Sequence, residues 1–439
     1  PQGTAQKIEA FDSSFDNLDK RTQRIDIGDL NIALLPKQTR GETVTVCMKF
    51  KSGDEKNLFG KANLQPVAAA MLTRGTKTMT RSEIEDRMTE LKMAGSITNF
   101  TTTRKNLPAA LELVFDAMHN SIMPQDEFDQ FKKQMQVMIE SMRDKPDALA
   151  QNAITQHFNT YPKGDPRYEY SLDESLEQLN KLTVDQVRAF YKEFGGTSRG
   201  EISIVGDFDP KAVEKIIRDD YAKYVSKAHY APVVTEYRPV KATRVVIDTP
   251  DKENAIIVAR SVFPINDTAP DAPALTVANW ILGGGTGLSN RLIERLRQKE
   301  GLSYGAGSHV RIPAKGDNGS FVFRAIVAPQ NMLQAEASAR DVIAKAIKDG
   351  FTDQEVEEAK KGLLQAMQVA RSQDDVVARS WNDKMENQRT WVFSKKQAEA
   401  ISKLTTADVN AALRKYIKPD EITFVLAGDQ KKAAQKKQD

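Results

Sequence analysis

The sequence contains one pattern twice, and this duplication constrains the fold more than any single motif. KLTVDQVRAFYKEF, which starts at Lys181, returns as KLTTADVNAALRKYI from Lys403, and the following EISIVGD returns as EITFVLAGD. A longer segment, EFDQFKKQMQVMIESMRDKPDALA from Glu127, matches EVEEAKKGLLQAMQVARSQDDVVA from Glu355. The offsets are 222 and 228 residues. Because the order and spacing are kept, we predict a duplicated domain of about 220 residues rather than a solenoid of shorter units.

Each copy mixes strand and helix patterns. Runs such as NIALLPK, TVTVCMKF and AIIVARSVF predict strands, and 3.6-residue periodicity predicts helices over 107–118, 126–143, 184–194, 272–282, 288–299, 332–348, 353–369 and 407–417. These elements predict an α+β fold of two tandem duplicated domains, each with a mixed or antiparallel sheet and helices packed on one face. KYVSKAHYAPVVTEYRPVKA lacks clean periodicity and is the predicted linker. We therefore place the domains at residues 1–233 and 234–439.

Composition excludes several classes of protein. The 439 residues include 63 basic and 60 acidic side chains, a net charge of +3, which argues against a dedicated nucleic-acid-binding protein. The single cysteine, Cys47, excludes an internal disulfide and a cysteine zinc cluster. No apolar stretch approaches the ~18 residues that cross a bilayer, and the polar start PQGTAQKIEAFDSSFD lacks the apolar segment of a signal peptide. We expect a soluble protein without membrane insertion.

A candidate site lies in GGGTGLSNRLIERLRQKEGLSYGAG, residues 283–307. After a glycine-rich loop, leucines at four-residue spacing from Leu288 predict an amphipathic helix with Arg297 at the edge of its apolar stripe. Gly301 suits the left-handed position that ends a helix, and Tyr304 follows on a predicted strand. A guanidinium and a phenol placed together can both donate to carbonyl oxygens or to a developing oxyanion. The ordinary alternatives are an arginine that complements a helix dipole and a tyrosine that packs in a sheet.

Over about twenty-five residues this string resembles, in order and residue type, the arginine–tyrosine segment of the pitrilysin/insulinase family of zinc metallopeptidases (inverzincins). In that family the segment lies in the non-catalytic C-terminal half. The resemblance implies the duplicated α+β fold. It also implies that Arg297 and Tyr304 are catalytic residues that contact substrate and transition state in the assembled enzyme, while the other half carries zinc.

The metal motif of that family, His-x-x-Glu-His, is absent from this chain. AAMLTRGTKT resembles the family's continuation after the second histidine, so Pro66 and Ala70 occupy the histidine places and Ala69 the glutamate place. None of these side chains can bind a metal or move a proton. Without the histidines, Glu140 downstream is interpreted as a solvated helix charge. We expect no cofactor in this chain and zinc in a partner half.

Other chemistries find little support. No two of the four histidines, His119, His157, His229 and His309, lie within four residues of each other, and a lone histidine is more often a hydrogen-bonded structural residue than a ligand. Cys47 has no histidine near it in sequence, so a cysteine nucleophile has little support. The run GGGTG suggests a nucleotide-binding alternative. A helical pattern precedes it, whereas a phosphate loop needs a strand there, so we favour a tight connection between helices.

The leading hypothesis is a non-catalytic, substrate-binding half of a pitrilysin-type zinc metallopeptidase. It would complete the active site of a zinc-bearing homologous half for hydrolysis of unstructured peptides. That partner would be a separate subunit or be fused upstream of Pro1. The alternative is a structural or interaction subunit with the same fold and no role in proteolysis. Long two-half members of this group look like bacterial periplasmic proteins, so we favour that compartment.

Overall fold

Two β-sheets, one from each half of the sequence, organise the chain. The computed structural model describes residues 8, 10–286 and 290–435. The first sheet contains β1 (Gln23–Ile27), β2 (Asp29–Pro36), β3 (Thr43–Phe50), β4 (Ala94–Gly95), β5 (Asn99–Thr103) and β6 (Arg199–Gly206). The second contains β7 (Arg244–Asp248), β8 (Ala255–Pro264), β9 (Ser303–Arg311), β10 (Asn318–Val327) and β11 (Thr423–Gly428).

The two sheets share one connectivity. Their strand orders are β1-β2-β6-β3-β5-β4 and β7-β11-β8-β10-β9. In each sheet the early strand β2 or β7 pairs in parallel with the late strand β6 or β11, and all other pairs are antiparallel; the first sheet has β1 as an additional edge strand. This confirms the predicted α+β fold with duplicated mixed sheets. The proposed boundary at 234 falls in 224–243, which contains no helix or strand, and its position remains a prediction.

Helices form most of the remaining structure. The first half contains α1 (Phe15–Arg21), α2 (Leu64–Met71), α3 (Arg81–Glu90), α4 (Leu107–His119), α5 (Gln125–Met142), α6 (Pro146–His157), α7 (Leu172–Lys181), α8 (Val184–Phe194) and α9 (Pro210–Asp219). The second contains α10 (Ala272–Asn279), α11 (Arg291–Ile293), α12 (Met332–Asp349), α13 (Asp353–Arg371), α14 (Asp374–Glu386), α15 (Trp391–Lys403), α16 (Thr406–Tyr416) and α17 (Gln430–Ala433). Two π-helical turns, Trp280–Gly284 and Glu294–Lys299, lie on either side of α11.

Equivalent helices begin with equivalent caps. The Thr183 hydroxyl accepts the backbone N–H of Gln186 at the start of α8, and the Gln186 side chain accepts the N–H of Thr183 in return. Thr405 and Asp408 form the same reciprocal pair at the start of α16. Such capping boxes satisfy backbone donors that the first turn leaves free, so the repeated KLT segment sets the same helix start in both halves.

Each sheet packs helices of its own half on one face. In the first half, α4 and α8 supply side chains such as Leu111 and Val187 to a core with Ile202 and Ile204 of β6. In the second half, α10, α12 and α16 cover Phe321 and the neighbouring inward side chains of β10. These two clusters are the main cores of the molecule.

The other face of each sheet is covered by a helix from the opposite half. Ala150 and Ile154 of α6, in the first half, pack on β8 and β11 of the second sheet. Reciprocally, α14 of the second half lies across β3 and β6 and places Val377 and Trp381 in a core with Cys47. The longest match in the repeat ends in the first turns of these two helices, at residues 150 and 378. The two halves therefore exchange equivalent helices and are tied together by apolar burial in both directions.

Buried polar contacts reinforce the interface between α14 and the first half of the chain. The Trp381 Nε1–H donates to the Thr22 hydroxyl at 3.1 Å, and the Asn382 amide donates to the Cys47 carbonyl at 3.1 Å. At the edge of this interface the Lys51 ammonium lies 2.5 Å from the Glu201 carboxylate and 3.4 Å from Glu386 of α14. Burial raises the pKa of Glu201, and the nearby Lys51 charge opposes that shift.

Because α14 belongs to the core of the first half, damage to it is expected to destabilise both halves. Trp381 is 1% exposed, so Trp381→Ala should lower the free energy of unfolding by about 3–5 kcal/mol, measured in urea. Val369→Ala on the exposed surface of α13 is the control and should change it by less than about 0.5 kcal/mol. Two separate unfolding transitions in the variant, with one at the wild-type midpoint, would contradict the coupling.

Candidate functional site

Gly283 and Gly284 at the start of the glycine-rich segment are helical, which corrects that part of the predicted loop, whereas the backbone of Gly285 is extended. α10 continues directly into the π-helical turn Trp280–Gly284, closed by an i to i+5 hydrogen bond of 2.9 Å. A Cβ on Gly283 would lie 2.5 Å from the Ser308 hydroxyl, so only glycine allows this turn to pack on β9. Gly287 and Leu288, which belong to the predicted loop and apolar stripe, lie outside the described residues.

The second π-helical turn, Glu294–Lys299, carries Arg297. Leu292 and Leu296 are fully buried and fix one side of this segment in the core, whereas Arg297 is exposed. Gly301 has a φ of +60°, which confirms the predicted left-handed residue after the helix. The next backbone N–H donates to the Leu296 carbonyl at 2.7 Å and closes the turn. The predicted order of helix, tight turn and strand is therefore correct.

A charged network anchors this turn to α12. Arg295 donates to the Glu300 carboxylate and, at 2.8 Å, to Asp341 of α12. The Ser338 hydroxyl donates to the other Glu300 oxygen at 2.7 Å. Burial alone would raise the pKa of Glu300, but the hydrogen bonds from Ser338 and Arg295 outweigh it, so this pKa lies below its ordinary value. The backbone on both sides of Arg297 is thus held by ionised side chains at neutral pH.

Tyr304 lies at the start of β9, the edge strand of the second sheet. Ser303 pairs with Val327 and Gly305 with Ile326, so Tyr304 is an extra residue in a β-bulge. The buried Ser303 hydroxyl donates to the Ile326 carbonyl at 3.0 Å and fixes the bulge. The Tyr304 side chain is 65% exposed, so the bulge presents the phenol to solvent instead of packing it in the sheet.

The structure places Arg297 and Tyr304 on adjoining elements at one corner of the second sheet, because β9 packs against the π-helical turn. Across the described ranges neither side chain takes part in a hydrogen bond or ion pair. Two exposed hydrogen-bond donors on an anchored backbone can bind carbonyl oxygens of an extended peptide. They can also stabilise an oxyanion on another molecule.

The degenerate metal motif lies on α2. Pro66 and Ala69 are exposed and Ala70 is half-buried, so the three motif places line up on the outward side of this helix. Beside Ala69 lies an apolar cavity of about 180 Å³ whose wall includes Phe50, Leu58, Leu72, Phe190 and Phe194. Glu140 is exposed on α5. The environment at the motif place is therefore apolar, unlike the charged donor set that zinc needs.

The scattered histidines form ordinary contacts. His119 stacks on a phenylalanine ring at 5.2 Å, His157 bonds a backbone carbonyl at 2.7 Å, His229 contacts an aspartate at 2.9 Å, and His309 is exposed. Among the residues that the structure describes, no three histidine, cysteine, aspartate or glutamate side chains form a possible metal cluster. Burial raises the pKa of the Cys47 thiol to about 11, which agrees with its interpretation as a small apolar side chain.

Sequence reasoning missed one chemically notable group, Lys384 on α14. The side chain is 8% exposed, and it lies beside the buried stripe that Val377, Trp381 and Met385 form at helical spacing. A lysine next to such a stripe was a detectable signal, but α14 itself was not predicted as a helix.

The left-handed turn at Gly301 can be tested against a matched glycine. A Cβ on Gly301 or on Gly305 would meet nothing within 4 Å, but only Gly301 has a positive φ. Gly301→Ala should therefore cost about 1 kcal/mol of unfolding free energy through backbone strain alone. Gly305→Ala in the strand should be neutral or slightly stabilising in the same denaturation experiment. Equal effects at the two sites would contradict the assigned backbone conformation.

Within the described ranges, no helix combines the length and the apolar character that crossing a membrane requires.

Sequence comparison finds similarity to peptidase relatives. Residues 181–363 match the family model described as Peptidase M16 inactive domain. An uncharacterized zinc protease of Mycobacterium bovis is 24% identical over 299 residues, which cover 65% of this chain and 66% of that protein, just under two thirds of its length. A non-peptidase homolog of Helicobacter pylori is 20% identical over 404 residues, covering 88% of this chain and 89% of that one.

Solved structures share the fold over nearly the whole chain. The peptidase M16 inactive domain from Pseudomonas fluorescens superposes with a TM-score of 0.78 at 20% identity, over 93% of this chain and 97% of that one. The periplasmic protease PqqL from Escherichia coli gives a TM-score of 0.67 at 14% identity, over 97% of this chain and 47% of PqqL. In sequence over 181–363 and in fold over most of its length, the chain is therefore similar to inactive domains of the M16 peptidases, the pitrilysin/insulinase family that its motif resembles.

Proposed function

We propose that this chain is the non-catalytic, substrate-binding half of an M16-type zinc peptidase and completes the active site of a zinc-bearing partner half. Arg297 and Tyr304 face the cavity shared by the two halves and contact an unstructured peptide there. The partner supplies the zinc and its activated water. This chain supplies hydrogen-bond donors that bind the substrate carbonyl most strongly when negative charge develops on its oxygen.

The exposed Tyr304 carries the proposal. A tyrosine in a sheet ordinarily packs its ring, but this ring is 65% exposed on a bulge. The neighbouring turn is fixed by the buried Leu292 and Leu296 and by the Arg295–Glu300–Asp341 network. A rigid backbone that presents a phenol and a guanidinium without internal partners is suited to binding another molecule.

Two further observations support the division of labour. Pro66, Ala69 and Ala70 leave α2 without a metal ligand at any motif place. The match with PqqL covers 47% of that protease, so PqqL contains about as much chain again outside the match. A partner half of about the same length as this chain, separate or fused, would account for the part of PqqL outside the match. PqqL is described as periplasmic, and we extend that compartment to the present protein as part of the proposal.

The second candidate is a structural or interaction subunit without a role in proteolysis. The relative from Helicobacter pylori, which aligns over 88% of this chain, is named a non-peptidase homolog. In that case the corner of Arg297 and Tyr304 would be an ordinary solvent-exposed surface. Kinetics of the assembled pair distinguish the two candidates.

Tyr304→Phe should lower kcat of the reconstituted two-half enzyme by about 10²–10³-fold, because one oxyanion donor is lost while the ring remains. The measurement is steady-state cleavage of a fluorogenic unstructured peptide. Arg297→Ala should also raise KM, since it removes contacts already present in the ground state.

Arg311→Ala is the matched control, an exposed arginine at the other end of β9, and it should leave both constants near wild type. Assembly and zinc content should be unchanged in all three variants. Full kcat/KM in Tyr304→Phe would remove the tyrosine from catalysis and favour the structural subunit.

The isolated chain should hold no stoichiometric zinc and cleave no unstructured peptide. Elemental analysis after dialysis against buffered zinc measures this directly. A triple variant, Pro66→His with Ala69→Glu and Ala70→His, places two imidazoles on one face of α2 and should increase the zinc retained. One tightly bound zinc per wild-type chain, with hydrolysis that a chelator abolishes, would show that the metal site had been located wrongly.

A further inference from the structure

A cavity of about 380 Å³ lies in the second half, bounded by α10, α13, α14, α15 and the far end of β9. This volume is in the range of small-molecule pockets, about 300–1,000 Å³. Most of its wall is apolar and includes Pro273, Ile312, Leu363, Met367, Phe393 and Ile401. It reaches β9 at Val310, six residues beyond Tyr304 and thus about 20 Å away along the strand. The cavity is therefore separate from the proposed peptide site.

Lys384 lines this cavity and has an unusual environment for a lysine. It is 8% exposed, and within the described part of the chain its ammonium has no hydrogen-bond or ion-pair partner. The Nζ atom lies 4.2 Å from the centroid of the Trp391 ring. Lys360 is equally buried, but its ammonium donates to the Leu404 carbonyl at 2.8 Å and to Glu357 at 3.1 Å. Burial lowers the pKa of Lys384 to about 8.

The charges around Lys384 decide which ligand suits the cavity. Arg389 and Asp267 on the wall neutralise each other through two contacts of 2.7 Å. Asp383, on the same wall, and Asp19 of α1 favour the protonated lysine, while Arg389 disfavours it. An anionic ligand would meet the Asp383 carboxylate next to the ammonium. A neutral, apolar molecule with an electrophilic carbon carries no negative charge and is not repelled by the Asp383 carboxylate.

We propose that Lys384 is a nucleophilic amine and that this cavity captures small apolar aldehydes as imines. The lone pair of the neutral amine attacks the carbonyl carbon, and a C–N bond forms. The C–O bond then breaks, and the oxygen leaves as water with the two protons of the amine. Asp383 lines the same wall and can relay these protons. A lysine desolvated in an apolar pocket is an established form of activated nucleophile, and no oxidant or reductant is needed.

Reductive trapping tests the proposal on the full chain. The protein is incubated with hexanal and cyanoborohydride at pH 7, digested, and mapped by mass spectrometry. A pKa of about 8 instead of the ordinary ~10.4 gives Lys384 roughly 250-fold more neutral amine at this pH. After allowance for its restricted access, alkylation should be at least about 10-fold faster than at the exposed Lys396 of α15. Its rate should rise up to about pH 8 and then level off, while the rate at Lys396 continues to rise.

One control residue, one variant and one competitor complete the experiment. Lys360, the buried and hydrogen-bonded lysine, should remain unlabelled. Lys384→Met keeps the stem without the amine, so it should abolish the fast phase with the thermal midpoint unchanged or raised, because a buried unpaired charge is removed. Labelling of Lys384 no faster than Lys396 would overturn the proposal. Protection by hexanoate without imine formation would also overturn it, since the cavity would then bind an anion.

Discussion

The exchange of α6 and α14 is the interaction on which the rest of the structure depends. Each sheet has two apolar faces, and the helices of its own half cover only one of them. Ile256, Val258 and Val425 would face water without α6, and each such side chain contributes about 1.5–3 kcal/mol when buried. Cys47 and Val205 depend on α14 in the same way. The net stability of a folded domain is only about 5–15 kcal/mol. Loss of either exchanged helix would remove a large part of it, so we expect the duplicated domains to behave as one folding unit.

Periodicity in the sequence was sufficient to locate most elements. The helix predicted over 184–194 is α8, Val184–Phe194, and the one predicted over 353–369 is α13, Asp353–Arg371. The repeat also predicted two like sheets. It could not show that α6 and α14 cross to the other half, because an apolar stripe at 3.6-residue spacing does not specify which sheet it packs on. The same spacing does not distinguish α-helical from π-helical turns, so the irregular turn that carries Arg297 was predicted as a regular helix.

The candidate site shows a similar division between local and long-range information. The turn at Gly301 was predictable, because a left-handed residue after a helix has a strong glycine preference. The exposure of Tyr304 was not, since it depends on the register between β9 and β10 and on the bulge at that point. The position of Lys384 beside an apolar stripe was visible in the sequence, but its role was not predictable for a related reason. Its significance depends on a cavity whose walls come from residues far apart in sequence.

The family resemblance suggests function at two places, and only one of them has an irregular backbone. α2 is a regular helix with apolar or exposed small residues at the metal places, and nothing there opposes ordinary packing. Around Arg297 and Tyr304, by contrast, a π-helical turn, a left-handed glycine and a β-bulge follow within about a dozen residues. π-helical turns and β-bulges are frequent at functional sites. α6 covers β7, β8 and β11 and leaves this edge of the sheet open, with Ile326 of β10 exposed. The irregular corner is thus also the uncovered one, which is the arrangement expected if a partner protein closes over it.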